Sequence, residues 1–212
     1  MNNAGYSRDW VKESGLDLGL GHCITIVRHM APRAALHRLG IADGDISMAT
    51  WAELTDRVYA RGIQTEEVAM AAFGIGECTV VIEDLGYRGS RSEWHLPLSV
   101  GTEVVNVHDH PVNGRQVLRV LRDGACVAFL DSDAPEGLDD CDCDCDCDGD
   151  VCEALSRLLL PALQPMEDGG EQPADLDDGW IDFLQVACDY FGLRPTPGDV
   201  SGPALGAPYR MW

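Results

Sequence analysis

Three short runs decide the fold: Thr102-Glu-Val-Val-Asn-Val-His108, Arg115-Gln-Val-Leu-Arg-Val-Leu121 and Ala125-Cys-Val-Ala-Phe-Leu130. Each is rich in β-branched or large apolar residues and shorter than an ordinary helix. Asn113-Gly114 lies between the first two and Asp123-Gly124 between the last two. These dipeptides tolerate the positive φ that a tight hairpin requires. The three runs therefore read as consecutive antiparallel strands, a meander.

Working upstream, Glu67–Phe73 and Glu77–Glu83 read as a second hairpin around Gly74-Ile75-Gly76, and His22–Arg28 as a further strand. Two helices interleave with them. One starts at Pro32 and stops at Gly40, with Met30, Ala34 or Ala35, and Leu39 facing inward. The other spans about Thr50–Ala60, where Trp51, Leu54 and Val58 recur at helical spacing. Gly86–Ser90 reads as a loop. Ser92–Val100 reads as a short helix or an irregular crossing, because Pro97 interrupts it.

Downstream, Val151–Leu163 has a helical face of Leu155, Leu158, Leu159 and Ala162. A second amphipathic helix is expected over Trp180–Phe191, with Asp177 or Asp178 as its cap. The last twenty residues are full of Pro and Gly and are expected to wrap the surface or fray. The predicted fold class is α+β, a mostly antiparallel sheet of about six strands with helices packed on it. The predicted organisation is a single domain over 1–212, with an acidic Cys-Asp loop at 131–150 and a C-terminal helical part at 151–193.

The chain has 212 residues, 36 acidic and 15 basic, for a net charge of -21, and 45% of it is hydrophobic. That apolar share suits a packed domain and argues against a disordered chain. No apolar run reaches the roughly 18 residues of a membrane span. The sign of the charge argues against direct binding of nucleic acid or anionic lipid. The charge is also local. Residues 1–130 hold 16 acidic and 12 basic residues, whereas 131–182 hold 18 acidic residues and only Arg157 as a base. Such a segment suits a basic protein partner, or mimicry of nucleic acid. The first ten residues lack a basic, then apolar, signal pattern. Cys23, Cys78, Cys126 and Cys188 stand singly in apolar runs and read as buried free thiols, which points to the cytoplasm.

The densest acidic part repeats Cys-Asp four times from Cys141 to Asp148, followed by Gly149-Asp150. Three readings stay open. It is a low-complexity acidic loop that packs no core, so removal of Asp139–Asp150 is expected to leave the fold intact. Alternatively, Cys141, Cys143, Cys145 and Cys147 are soft ligands for zinc or copper(I), although alternate residues on an extended chain sit about 6.5–7 Å apart, too far to share one ion without folding. Or Asp144, Asp146, Asp148 and Gly149 occupy positions one, three, five and six of a calcium loop. Leu155 then stands where the bidentate Glu is needed, and Glu153 comes two residues early.

His108-Asp109-His110 is a compact cluster in which two imidazoles share a strand face and can chelate a metal, with His95 as a third ligand. The competing reading is a polar strand end before a turn. The chain has no Gly-x-Ser-x-Gly elbow, no Gly-Lys-Ser/Thr phosphate loop and no His-Glu-x-x-His. Gly86-Tyr87-Arg88-Gly89-Ser90-Arg91 supplies glycines, a hydroxyl and two cations, the makings of an anion-holding turn, or simply of a turn. Glu83 with Arg88 or Arg91 reads equally well as a surface ion pair. An enzymatic reading, a hydrolase, gathers Glu83, Tyr87, Arg88, Ser90 and His95 and requires them to converge.

Several of these stretches occur together: Cys23-x-Thr25-x-Val27-Arg28, Leu36-His-Arg-Leu-Gly40, Val81-Ile-Glu83-x-x-Gly86-Tyr87-x-Gly89-Ser90 and Leu98-Ser99-x-Gly101-Thr102. The combination resembles an uncharacterised family of actinobacterial proteins known only as a domain of unknown function. The resemblance covers about residues 10–130, and more loosely Trp180–Leu193. It implies no activity, cofactor or catalytic set. The Cys-Asp tract and His108-Asp109-His110 lie outside its pattern. The resulting expectation is a non-enzymatic binding or interaction module, of an accessory, regulatory or immunity type. The alternatives are the hydrolase-like site and a metal-binding tract.

Overall fold

The computed structural model describes residues 10–11, 13–16, 18, 21–60, 67–85, 88–109, 115–133, 148–163 and 182–210, with 160–163 as backbone only. The meander is present as β5 (Glu103–Asp109), β6 (Gln116–Arg122) and β7 (Ala125–Asp131). Asp123 and Gly124 both adopt positive φ, 51° and 83°, as the Asp-Gly turn demands. Asn113-Gly114 falls outside the described residues. Val120 pairs with Ala128 and Leu121 with Cys126, so Val127 is an extra, bulged residue in β7.

The rest of the sheet comes from β1 (His22–Arg28), β2 (Ser47–Ala49), β3 (Glu67–Ile75), β4 (Cys78–Asp84) and β8 (Ala204–Arg210). The eight strands lie in the order β2-β8-β3-β4-β1-β5-β6-β7, and every pairing is antiparallel. The α+β class with an antiparallel sheet is therefore correct, but the sheet is larger than the six strands expected. The hairpin joining β3 to β4 closes at Gly76-Glu77, so Gly74 and Ile75 of the expected turn belong to β3. Gly76 takes φ 59° there.

The two additional strands correct the reading of the C-terminus. β8 inserts between β2 and β3 and does not wrap the surface. Its Leu205, Ala207 and Tyr209 alternate onto one sheet face. Two prolines and two glycines in residues 202–208 hide that period. Pro208 lies past the stretch that β2 pairs, where β8 needs fewer ladder bonds. The three residues of β2 carry too little pattern to be read alone.

Both sheet faces are covered. On one face pack α2 (Trp51–Tyr59), α4 (Gly149–Leu163), α5 (Phe183–Phe191) and α6 (Pro197–Val200), burying Ile24, Ile82, Val105, Leu118 and Leu155 among others. α2 is secured by the capping box of Thr50 and Glu53. α5 begins at Phe183 and is capped by Asp182, which accepts from the Gln185 amide at 3.1 Å; Asp177 and Asp178 lie outside the described residues. On the opposite face pack α1 (Pro32–Arg38) and α3 (Ser92–Leu98), which bury Val27, Leu36, Leu39, Val81, Leu98 and Val104. Ser92–Leu98 is thus a helix, with Pro97 confined to its last turn, where few intrahelical bonds remain to be lost. No helix among the described residues is long and apolar enough to cross a membrane.

Candidate functional site

The apolar face under α1 and α3 is interrupted by a polar group. Strand pairing places Cys23 opposite Glu83, Thr25 opposite Asn106, and Asn106 opposite Arg119. Directly opposed residues share a sheet face, so β4, β1, β5 and β6 present these side chains together. Cys23, Glu83, Asn106 and His95 of α3 are all buried.

The segment after β4 closes over this group. Leu85 takes φ 61°, which turns the chain away from the strand, and its amide donates to the Gly21 carbonyl at 3.1 Å. The chain returns at Arg88–Ser90. Glu83 accepts the Arg88 amide at 2.5 Å on Oε1 and the Gly89 amide at 2.6 Å on Oε2. His95 donates through Nδ1 to the Gly89 carbonyl at 3.0 Å. Gly89 thus links the carboxylate to the imidazole. Only glycine fits there: a Cβ would overlap Cys23 Sγ and lie 2.9 Å from Glu83 Oε2.

Arg88 points the other way. Its guanidinium donates to the Leu39 carbonyl at 2.6 Å and to that of Arg210 at 3.4 Å. It lies 4.4 Å from the Trp94 ring centroid and 4.5 Å from that of Tyr209. Gly40, at φ 78°, leaves the room that Trp94 occupies beside it. Arg88 therefore joins α1, α3 and β8, while its backbone belongs to the Glu83 cluster.

Burial sets the proton chemistry. It pushes Glu83 up to about 7, against the pull of the two amide donors. It pushes the Cys23 thiol up to about 12, helped by the Glu83 charge beside it. It drives His95 down to about 4, opposed by the Gly89 carbonyl and helped by Arg119. At neutral pH the thiol is protonated and the imidazole neutral. A protonated, enclosed thiol is a poor nucleophile. Asn106 donates from Nδ2 to Cys23 Sγ and to Thr25 Oγ1, both at 2.8 Å.

Of the five residues gathered for a hydrolase, Glu83, His95 and the Arg88 backbone meet around Gly89. The Arg88 side chain diverges, Ser90 is half-buried next in the chain, and Tyr87 lies outside the described residues. The surface ion pair considered for Glu83 is not formed. The carboxylate is buried and binds backbone amides, and Arg91 pairs instead with Glu93 at 3.4 Å. Cys23, Thr25 and Asn106 also belong to the group, beyond the five residues of the hydrolase reading. Their signal was present as polar residues at inward-facing positions of apolar strands.

Of the proposed metal ligands, Cys141, Cys143, Cys145, Cys147, Asp144 and Asp146 lie outside the described residues, as does His110. Asp148 is described and already engaged. Its Oδ1 accepts the Asp150 amide at 3.0 Å, capping α4, and its Oδ2 pairs with Arg122 at 2.7 Å. Its own amide donates to the carbonyl of the bulged Val127 at 3.0 Å. Arg122 also binds Glu103 at 2.6 Å, which in turn accepts from the Tyr190 hydroxyl at 2.9 Å. Among the described residues no group of three or more His, Cys, Asp or Glu side chains is placed to hold a metal ion.

These features define an antiparallel α+β protein whose polar centre is enclosed between sheet and loop. A family model described as a family of unknown function, DUF6461, matches residues 4–146, and the chain belongs to that family. No curated protein and no solved structure matches the chain.

Proposed function

We propose that this protein is a non-enzymatic cytoplasmic binding module, of an accessory, regulatory or immunity type, built as one α+β domain. The observation that carries this reading is how the buried polar groups are used. Glu83, His95 and Asn106 bind the chain's own backbone and side chains, and the Cys23 thiol stays protonated. The partner is a basic protein that meets the acidic segment, where 131–182 carries 18 acidic residues and one base. The test is capture from lysate by the full chain and by a variant whose aspartates over 139–147 are changed to asparagine. A basic protein retained only by the full chain, and released by salt, supports the reading. Equal recovery on both sinks it.

The meeting of Glu83 and His95 at Gly89 favours a second reading, a hydrolase-like site with Tyr87, Arg88 and Ser90. It requires turnover of an ester, amide or phosphoester panel that is lost in His95→Gln. The alternating thiols of Cys141–Cys147 support a third, a zinc or copper(I) site. Elemental analysis of protein purified under reducing conditions, with and without those four cysteines, tests it.

A further inference from the structure

The strand order ends on β2 at one side and on β7 at the other. β2 has three residues, too few for a useful ladder, whereas β7 has seven. The backbone directions of β7 follow from one bond at its end. The Ser132 amide donates to the Gln116 carbonyl at 2.9 Å, so residues 128, 130 and 132 turn their backbone groups toward β6. Phe129 and Asp131 therefore turn theirs away from the sheet. Among the described residues one backbone bond is made on that side, from the Asp148 amide to the Val127 carbonyl at 3.0 Å. Such an edge is a template for a further strand.

The side chains along the edge define which strand suits it. Ala128 and Leu130 pack in the same core as Leu155 and Leu159 of α4. Phe129 and Asp131 take the other face, where Arg119 lies 5.3 Å from the Phe129 ring centroid and Arg115 donates to Asp131 at 2.8 Å. Acidic groups stand at both ends. The chain leaves β7 through Asp131 and Asp133, and Asp148 and Asp150 stand beside Val127, near the other end. The cations Arg115 and Arg122 are already engaged, with Asp131 and with Asp148 and Glu103. Residues 131–182 carry 18 acidic residues and one base. Two copies paired through this edge would bring two such segments together, whereas a basic strand is attracted to it.

We propose that the outer edge of β7 receives an extended segment of the partner protein, alternating basic with apolar residues, as a ninth strand. This rests on the reading of the protein as a module for a basic partner, and adds where and how that partner is held. The N–H and C=O groups of Phe129 and Asp131 supply the ladder bonds. The partner's apolar residues continue the row of Ala128 and Leu130 beside α4. Its basic residues fall on the face of Asp131.

The test uses the full chain and two synthetic peptides, a Lys-Val repeat and the same sequence N-methylated at every residue, which keeps the charge and cannot donate. Affinity is read by calorimetry, and amide hydrogen exchange at Phe129 and Asp131 by NMR, with Ala128 and Leu130 as the ladder-bonded reference. The Lys-Val peptide is expected to slow exchange at Phe129 and Asp131 and to bind about tenfold or more tighter than its N-methylated form. Equal affinities with unchanged exchange overturn the edge site and leave the basic-partner reading standing on the acidic segment alone. Binding of neither peptide overturns both. Phe129 and Asp131 amides already protected in the free chain, at all protein concentrations, show that the chain covers its own edge and overturn the proposal. Protection that rises with protein concentration alone assigns the edge to a second copy and overturns it as well.

Discussion

Asn106 on β5 donates from one amide nitrogen to two residues of β1, Cys23 Sγ and Thr25 Oγ1, each 2.8 Å away. Its Oδ1 is buried with no hydrogen-bond partner among the described residues. The amide therefore stitches two central strands at the cost of one unsatisfied acceptor, a deficit of about 1–3 kcal/mol. Asn106→Ala removes the stitch and leaves a cavity, and is expected to destabilise the fold by about 2 kcal/mol in denaturant unfolding. In native protein Cys23 should resist alkylation, as a buried thiol pushed up to about 12. Faster labelling of Cys23 in the variant, read by peptide mass spectrometry, is the accompanying expectation.

Gly89→Ala tests the close approach of the Arg88–Ser90 segment to the sheet. The added methyl meets Cys23 Sγ and the Glu83 carboxylate. The expected cost is about 1–3 kcal/mol. Cys23→Ala clears the overlap, so the double variant should be more stable than the sum of the single changes predicts. Simple additivity in the cycle would show that the two residues do not touch.

Stability should depend on pH through two groups of opposite slope. Glu83 has its pKa raised from an ordinary 4.5 to about 7. Its contribution is full below 4.5 and is lost as pH rises through 7. His95 is lowered from 6.5 to about 4. Its contribution is full above 6.5 and is lost as pH falls through 4. Between about 4.5 and 6.5 the two oppose each other. Relative to wild type, Glu83→Gln should gain stability as pH rises over that window, and His95→Gln should lose it. Each difference is bounded at roughly 3 kcal/mol. Parallel profiles for wild type and both variants would contradict the assignment.

Shortening the acidic segment needs a different boundary from the one the composition suggests. Removal of 139–150 takes Asp148 with it, and with Asp148 the cap of α4 and the pair to Arg122. Removal of 139–147 is expected to leave the unfolding midpoint nearly unchanged. Asp148→Ala alone should cost about 1 kcal/mol through the lost cap. A large loss of cooperativity in the shorter deletion would mean that the segment packs on the body.

Much of the architecture was legible because it rests on local chemistry. Asp123-Gly124 specifies its turn through backbone conformation, and Trp51, Leu54 and Val58 specify a helix through spacing. Each signal is complete within a few residues. The alternation in Leu205-x-Ala207-x-Tyr209 was equally local, but surrounding prolines and glycines outweighed it. What made β8 a strand was the open edge of β3, supplied by residues more than 120 positions earlier in the chain.

By itself, the sequence determined the class of fold, the meander, the main helices and the confinement of the negative charge to one segment, since propensity, period and charge are properties of neighbours. Only the tertiary structure decided that Glu83 is a buried anchor and not half of a surface pair, that Arg88 turns away from it, and that Cys23, Thr25 and Asn106 belong to the same group. Those assignments depend on strand register and on what covers the sheet. Register brings Asn106 within a hydrogen bond of Cys23, 83 positions away in the chain, and burial changes the chemistry of a carboxylate or thiol without changing a letter of the sequence.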